Sequence, residues 1–229
     1  MAKHQVISEG ELVVEGRFVD ASNATLFAVA KFGNDEVKVI YKPIAGERPL
    51  WDFPDGNLAQ RERAAYLLSE GLGLHIVPFT ILREGPFGMG SVQEWIEMSE
   101  EFDVVAFASA DTPELRKMVL LDAIINNTDR KYGHILVDSK GSIFGCDHGV
   151  TFHADPKLRT VLWQWAGEEF TSEEIMVLKK SLEMAEVILS DLITGEEIIA
   201  LKMRAAEMIE SGSFPYPSDE WPAIPWPPF

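Results

Sequence analysis

Strict alternation of apolar and polar residues fills much of the first hundred positions of this chain, and helical spacing fills most of the remainder. A sequence divided in that way builds a sheet at one end and a helical body at the other, an α+β fold. ELVVEGRFV (residues 11–19) alternates, ATLFAVAKF (24–32) follows, and Gly33, Asn34 and Asp35 separate it from EVKVIYKP (36–43), which is hairpin spacing. Three antiparallel strands are expected there. After a loop rich in Pro and Gly (43–56), NLAQRERAAYLLSEGLG (57–73) sets Ala64, Leu67, Leu68 and Leu72 on one helical face, with Gly71 and Gly73 as its stop. LHIVPFTIL (74–82) and MGSVQEWIE (89–97) read as two further strands. Residues 1–98 are therefore expected to form a small lobe of about five strands and one helix.

The second half reads as mainly helical. Asp111 or Thr112 can cap a helix that starts at Pro113, with Leu115, Met118, Val119 and Ile125 as its buried stripe. Asp122 falls on that stripe, where a carboxylate needs partners, so it is expected to anchor the loop that follows. HILVD and SIFGCD, joined by residues 139–141, predict a short hairpin. Ser172 opens a last helical region whose apolar positions run through Leu178, Leu182, Ile198, Met203 and Ala206. Residues 99–212 thus form a compact, mainly helical lobe. The proline- and tryptophan-rich residues 213–229 can be neither helix nor interior strand and are expected to form an extended tail that folds back on the body. Docking of a protein partner, or of a second copy, on that tail is the other reading. Trp163 and Trp165 are expected to serve packing, and His148 and His153 to be structural.

Charge removes two classes of function. The 229 residues carry 20 Lys and Arg against 37 Asp and Glu, a net −17 that repels phosphate backbones and anionic headgroups. Neither nucleic-acid binding nor stable membrane association is expected. The single Cys146 excludes an internal disulfide framework and a cysteine-based zinc site, and the five histidines show no ligand-like spacing. With no run near the ~18 apolar residues of a spanning helix, and no apolar stretch in the opening MAKHQVISEGEL, a cytoplasmic setting is expected.

The polar residues that punctuate these elements carry the chemistry. Lys42 ends a strand, Glu62 lies on the first lobe's helix, Asp129 opens a loop after a helix, His134 stands five positions on, and Asp147 closes a hairpin. One ammonium, its carboxylate partner and two acids are the set that holds a divalent ion and a triphosphate for phosphoryl transfer. VIYKP around Lys42, RERAAYLLSEGLGLHIVP (61–78), LLDAIINNTDR (120–130) and GCDHG (145–149) resemble the phosphatidylinositol 3- and 4-kinase-like superfamily, most of all its small type II 4-kinases. Related atypical bacterial protein kinases share the Asn-x-Asp-Arg and Asp-His-Gly elements. The chain as a whole is similar to an uncharacterised actinobacterial family distantly related to those kinases, with the resemblance covering roughly residues 10–155.

The resemblance implies a two-lobed, protein-kinase-like fold that binds ATP with Mg²⁺ or Mn²⁺ and moves the γ-phosphoryl group to a hydroxyl of a soluble small molecule or protein. It assigns Lys42 to the α- and β-phosphates, Glu62 to orienting that lysine, Asp129 to catalysis with Arg130 supporting its loop, and Asp147 to the metal. Residues 20–25 take the place of the phosphate-covering loop, with Ser22, Asn23 and Thr25 as its polar groups. Gln93, Glu94, Trp95 and Ile96 fall at the interlobe hinge, beside the adenine. His134 stands where the superfamily has an Asn metal ligand, and its imidazole suits Mn²⁺ or other transition ions better than Mg²⁺; either the second metal is lost or replaced, or His134 bonds a phosphate. A nucleotide-binding pseudokinase acting through its surface, and an AMP-transferring enzyme on the same fold, are the alternatives.

Overall fold

The structure, a computed structural model, describes residues 2–18, 23–54, 56–99 and 102–229. Among them, strands β1 (Glu11–Arg17), β2 (Leu26–Phe32), β3 (Asp35–Pro43), β4 (Thr80–Gly85) and β5 (Gly88–Glu94) form one antiparallel sheet in the order β1-β2-β3-β5-β4. The β2–β3 turn pairs Phe32 with Asp35 and closes over Gly33 at φ +61°, a conformation glycine adopts without steric cost.

Cross-strand pairs place Leu26, Ala28, Val39 and Tyr41 on one face of the sheet. There they bury against Val6 and Ile7 of helix α1 (Lys3–Glu9), which the sequence reading did not anticipate. The other face carries Phe27, Ile40 and Lys42, and period two is what turns Lys42 away from the α1 core.

Helix α2 (Leu58–Leu72) packs on strands β4 and β5 and on the helices of the second lobe. Asn57 caps it by accepting from Gln60 N–H, the Glu47 carboxylate accepts from Leu58 and Ala59 N–H at 2.9 Å each, and Gly73 closes it at φ +80°. Its Arg61 and Glu62, part of a charged run that would ordinarily face solvent, are both buried.

The second lobe holds α3 (Val104–Ala108), α4 (Pro113–Ile125), the hairpin of β6 (Ile135–Val137) and β7 (Ile143–Gly145), α5 (Ser172–Leu189) and α6 (Gly195–Ser211). Thr112 caps α4, and Thr171 and Thr194 form reciprocal capping boxes with Glu174 and Glu197. The larger core joins these helices to α2.

Two expectations change in detail. LHIVPFTIL becomes a strand only from Thr80, because Leu74, Ile76 and Val77 bury in the larger core through irregular backbone with His75 at φ +53°. The last helical region is two helices, and α6 buries Ile198, Leu201, Ala205 and Met208, which leaves Met203 and Ala206 facing solvent. Residues 213–229 contain neither helix nor ladder strand and run back over the second lobe. Thr160 N–H and Trp163 Nε1–H donate to Ala223 O, and Tyr132 N–H donates to Pro228 O. No helix among the described residues is long and apolar enough to cross a membrane.

Candidate active site

The two halves of the molecule meet at Lys42. Its ammonium donates to Glu62 Oε1 at 2.5 Å and to Asp147 Oδ1 at 2.8 Å. Glu62 Oε2 accepts from the backbone N–H of His148 at 3.0 Å, so both oxygens of this buried carboxylate face donors, while burial raises its pKa against the pull of Lys42. Burial alone would lower the lysine's pKa, but Asp147 and Glu62 outweigh it and raise it above the ordinary range. Lys42 in turn holds Asp147 well below the usual carboxylate range, although half of that side chain is open to solvent. Asp147 itself sits at φ +58°, a left-handed conformation that aspartate tolerates better than most residues.

A buried network supports Asp129. Arg130 is fully buried and meets Asp122 of α4 in a bidentate pair, Nε to Oδ2 and Nη2 to Oδ1, each at 2.8 Å. The same guanidinium donates to the carbonyls of His134 (3.2 Å) and Cys146 (3.0 Å) and meets His148 Nε2 at 2.8 Å. Gly145 is required beside it, since a Cβ there would lie 3.0 Å from Arg130 Nη2. Asp122 also accepts from Asn127 Nδ2–H, and Asn127 Oδ1 accepts from Asp129 N–H. One ion pair therefore ties α4, the loop at 127–134 and the loop at 145–149 together, the anchoring role expected of Asp122. The Asp129 carboxylate is partly exposed with Lys131 Nζ 3.4 Å from Oδ2, and burial raises its pKa against the pull of that lysine.

His134 bridges the two loops. Its Nδ1 lies 2.9 Å from Asp129 O and its Nε2 lies 3.3 Å from Asp147 Oδ2. Among the described residues no cluster of three or more His, Cys, Asp or Glu side chains is placed to hold a metal. Asp147 and His134 nonetheless suit a divalent ion whose remaining ligands come from phosphate and water, as such ions are commonly held.

The predicted adenine and phosphate segments are disposed unevenly. Gln93 is buried in β5 with its amide donating to Thr80 Oγ1, and Glu94 pairs with Lys3. The N–H groups of Glu94 and Trp95 are taken by Phe79 O and Lys38 O, and Ile96 is buried. The Trp95 ring lies against Phe18 and against Phe27, which shares a sheet face with Lys42, with centroids 6.2 and 5.4 Å away. Asn23 Oδ1 accepts from Arg48 N–H, Thr25 O accepts from Phe18 N–H, and Ser22 lies outside the described residues. The sequence reading noted Asn127 only as part of the Asn-x-Asp-Arg element and passed over Phe18, Phe27 and Lys131. Of these three, Lys131 alone had a visible signal, a cation two positions after Asp129.

No family model matches the chain. It is 37% identical to Protein Rv2133c of Mycobacterium tuberculosis (strain ATCC 25618 / H37Rv) in an alignment of 266 residues that covers 99% of this chain and 95% of that protein. Among solved structures, the Helicobacter pylori proinflammatory kinase CtkA aligns with a TM-score of 0.52 at 12% identity, over 90% of this chain and 94% of that one. The Golgi casein kinase aligns with a TM-score of 0.56 at 13% identity, over 91% of this chain and 72% of that one. At these identities the likeness establishes the fold, which is kinase-like.

Proposed function

The chain belongs to the family of Protein Rv2133c and folds like a kinase, and from that premise we propose that it is an ATP- and divalent-metal-dependent phosphotransferase with a hydroxyl acceptor. The observation that carries this reading is the closed chain Glu62–Lys42–Asp147, with Asp129 on a loop fixed to it through Arg130. The order of these motifs, which resembles the phosphatidylinositol 3- and 4-kinase-like superfamily, supports it further.

In this reading residues 1–98 hold the nucleotide, with the base beside Trp95, Phe18 and Phe27, and residues 99–212 supply the catalytic and metal loops. Lys42 neutralises the α- and β-phosphates and Glu62 keeps it aimed. A divalent ion held by Asp147 and His134 supplies charge neutralisation at the phosphates when bound. Asp129 accepts the proton of the acceptor hydroxyl as that oxygen forms its bond to the γ-phosphorus, the bridging P–O bond to the β-phosphate breaks, and ADP leaves. Lys131, beside Asp129, faces the charge carried by the transferred group. The acceptor is a soluble small molecule or a protein side chain, since a net charge of −17 disfavours anionic lipid surfaces.

Calorimetric titration of ATP with Mg²⁺, Mn²⁺ or EDTA, alongside Asp147→Asn, tests the reading. Metal-dependent binding that the substitution abolishes supports it, and transfer of label from the γ- but not the α-position of ATP separates phosphoryl from AMP transfer. Folded protein that binds no nucleotide under any of these conditions overturns it. His134 at the metal position favours one second reading, a pseudokinase that binds nucleotide without turnover.

A further inference from the structure

The geometry at His134 points to the identity of the ion. The oxygen of Asp129 is a carbonyl and can only accept, so the imidazole nitrogen 2.9 Å from it, Nδ1, carries the hydrogen. That bond directs the other ring nitrogen, Nε2, toward Asp147 Oδ2 at 3.3 Å. An imidazole whose N–H is spent on a backbone carbonyl and whose second nitrogen converges with a carboxylate oxygen is the arrangement metal-binding histidines adopt. A separation of 3.3 Å also suits two donors that share one ion at roughly 2.0–2.2 Å each.

We propose that the ion this site takes together with nucleotide is a divalent transition metal of the series from Mn²⁺ to Zn²⁺ in preference to Mg²⁺, bound through His134 Nε2 and Asp147 Oδ2. This rests on the ATP-dependent reading above and refines it. Mg²⁺ favours an all-oxygen octahedron and keeps its waters, whereas imidazole nitrogen raises affinity for the transition series. A purely structural zinc is disfavoured, because such sites use four protein ligands and this one supplies two, leaving positions for phosphate oxygens. The ring is oriented by its Nδ1–H bond to Asp129 O, and the backbone that carries it is held as well. Arg130 donates to the His134 carbonyl, and Arg130 itself is locked by Asp122, so the imidazole does not need to reorganise to receive the ion.

The test uses the full chain with Mn²⁺ and ADP. Pulsed electron paramagnetic resonance of that complex should show a ¹⁴N coupling to Mn²⁺ that becomes ¹⁵N when the protein carries ¹⁵N-histidine, which separates the imidazole from the adenine nitrogens. The coupling should vanish in His134→Asn, whose fold is checked by circular dichroism and by a urea unfolding midpoint matching that of the parent protein. In competition, Mg²⁺ should displace Mn²⁺ only at a ~100-fold excess or more, falling to about tenfold in the variant. A Mn²⁺·ADP complex with no histidine coupling, or displacement by Mg²⁺ at parity, overturns the ion assignment and leaves the nucleotide reading standing. ADP affinity that is equal with Mn²⁺, with Mg²⁺ and in EDTA overturns both.

Discussion

Asp122→Asn should be among the most damaging conservative substitutions in the molecule. Arg130 and Asp122 are 0% and 1% exposed, and the substitution removes the anion while leaving the cation in place. Two charge-assisted hydrogen bonds of 2.8 Å are at stake, each worth about 1.5–3 kcal/mol. Asparagine keeps one acceptor oxygen but turns an N–H₂ group toward a guanidinium that can only donate. Arg130 would retain the carbonyls of His134 and Cys146 and the nitrogen of His148, which satisfy hydrogens but do not neutralise charge. Breaking a buried pair from one side costs about 3–5 kcal/mol, against a total stability of about 5–15 kcal/mol for a domain. In urea, with a slope of roughly 2–3 kcal/mol per molar, the midpoint should fall by about 1–2 M. Arg130→Met should lose a similar amount, and the double variant should lose at least ~2 kcal/mol less than the two single losses added together. Tryptophan fluorescence across a urea series reads all four proteins. A loss below ~1 kcal/mol for Asp122→Asn would refute the claim that this pair holds the loops together.

Gly90→Ala should destabilise by about 1–3 kcal/mol, because the new Cβ would lie 2.4 Å from Lys42 O and 2.7 Å from Pro43 Cα, backbone atoms that cannot step aside; an unchanged thermal midpoint would contradict this. Removing residues 220–229 takes away the acceptors at Ala223 and Pro228, so amide exchange at Thr160 and Tyr132 should accelerate while that of β2 and β3 stays as in the full chain. Uniform exchange in both proteins would show that the tail does not hold these loops. Asp138, at the β6–β7 turn, accepts from the N–H groups of Lys140 and Ser142, and these bonds, led by that of Ser142, lower its pKa. The unfolded chain therefore binds more protons in this range, so the carboxyl contributes stability above its unfolded value near pH 4, and that contribution is lost as pH falls through the lower folded value. A carboxyl ¹³C titration of Asp138 with a midpoint at or above 3.9 would contradict it.

Much of the first lobe was legible because its signals are local. Alternation fixes the face that Lys42 presents, and the two residues between Phe32 and Asp35 fix the β2–β3 register. Helix α1 escaped because it is one short segment with two buried side chains, Val6 and Ile7, too few to set a period. The misplacement of Met203 and Ala206 has a different origin. A single helical phase was carried across the break between Leu189 and Gly195, and α6 restarts with its own capping box and its own buried stripe. At the site, Lys42, Glu62, Asp129, His134 and Asp147 come together from segments up to 105 residues apart, which motif order could suggest and no local pattern could show. Phe18 and Phe27 were invisible as partners of Trp95, since an aromatic in a strand looks the same whether it faces a core or a cleft.

The contacts of Lys42 with Asp147 and of Arg130 with Asp122 differ in their exposure to water, and on the proposed reading that difference bears on how a nucleotide would enter. Lys42 reaches Asp147 through a carboxylate that is half exposed, so water competes for its oxygens and weakens the pair. Asp122 and Arg130 are sealed from water, and parting them costs more. On the proposed ATP-dependent reading, a triphosphate would draw Lys42 from Asp147 by offering the ammonium its own oxygens in exchange. The Asp129 loop stays where Arg130 holds it throughout that exchange. Glu62, bonded to both Lys42 and His148 N–H, keeps the lysine near the cleft while it changes partners. On the proposed reading the weaker link thus lies where a ligand would displace protein, and the stronger one where the reacting geometry would have to stay fixed.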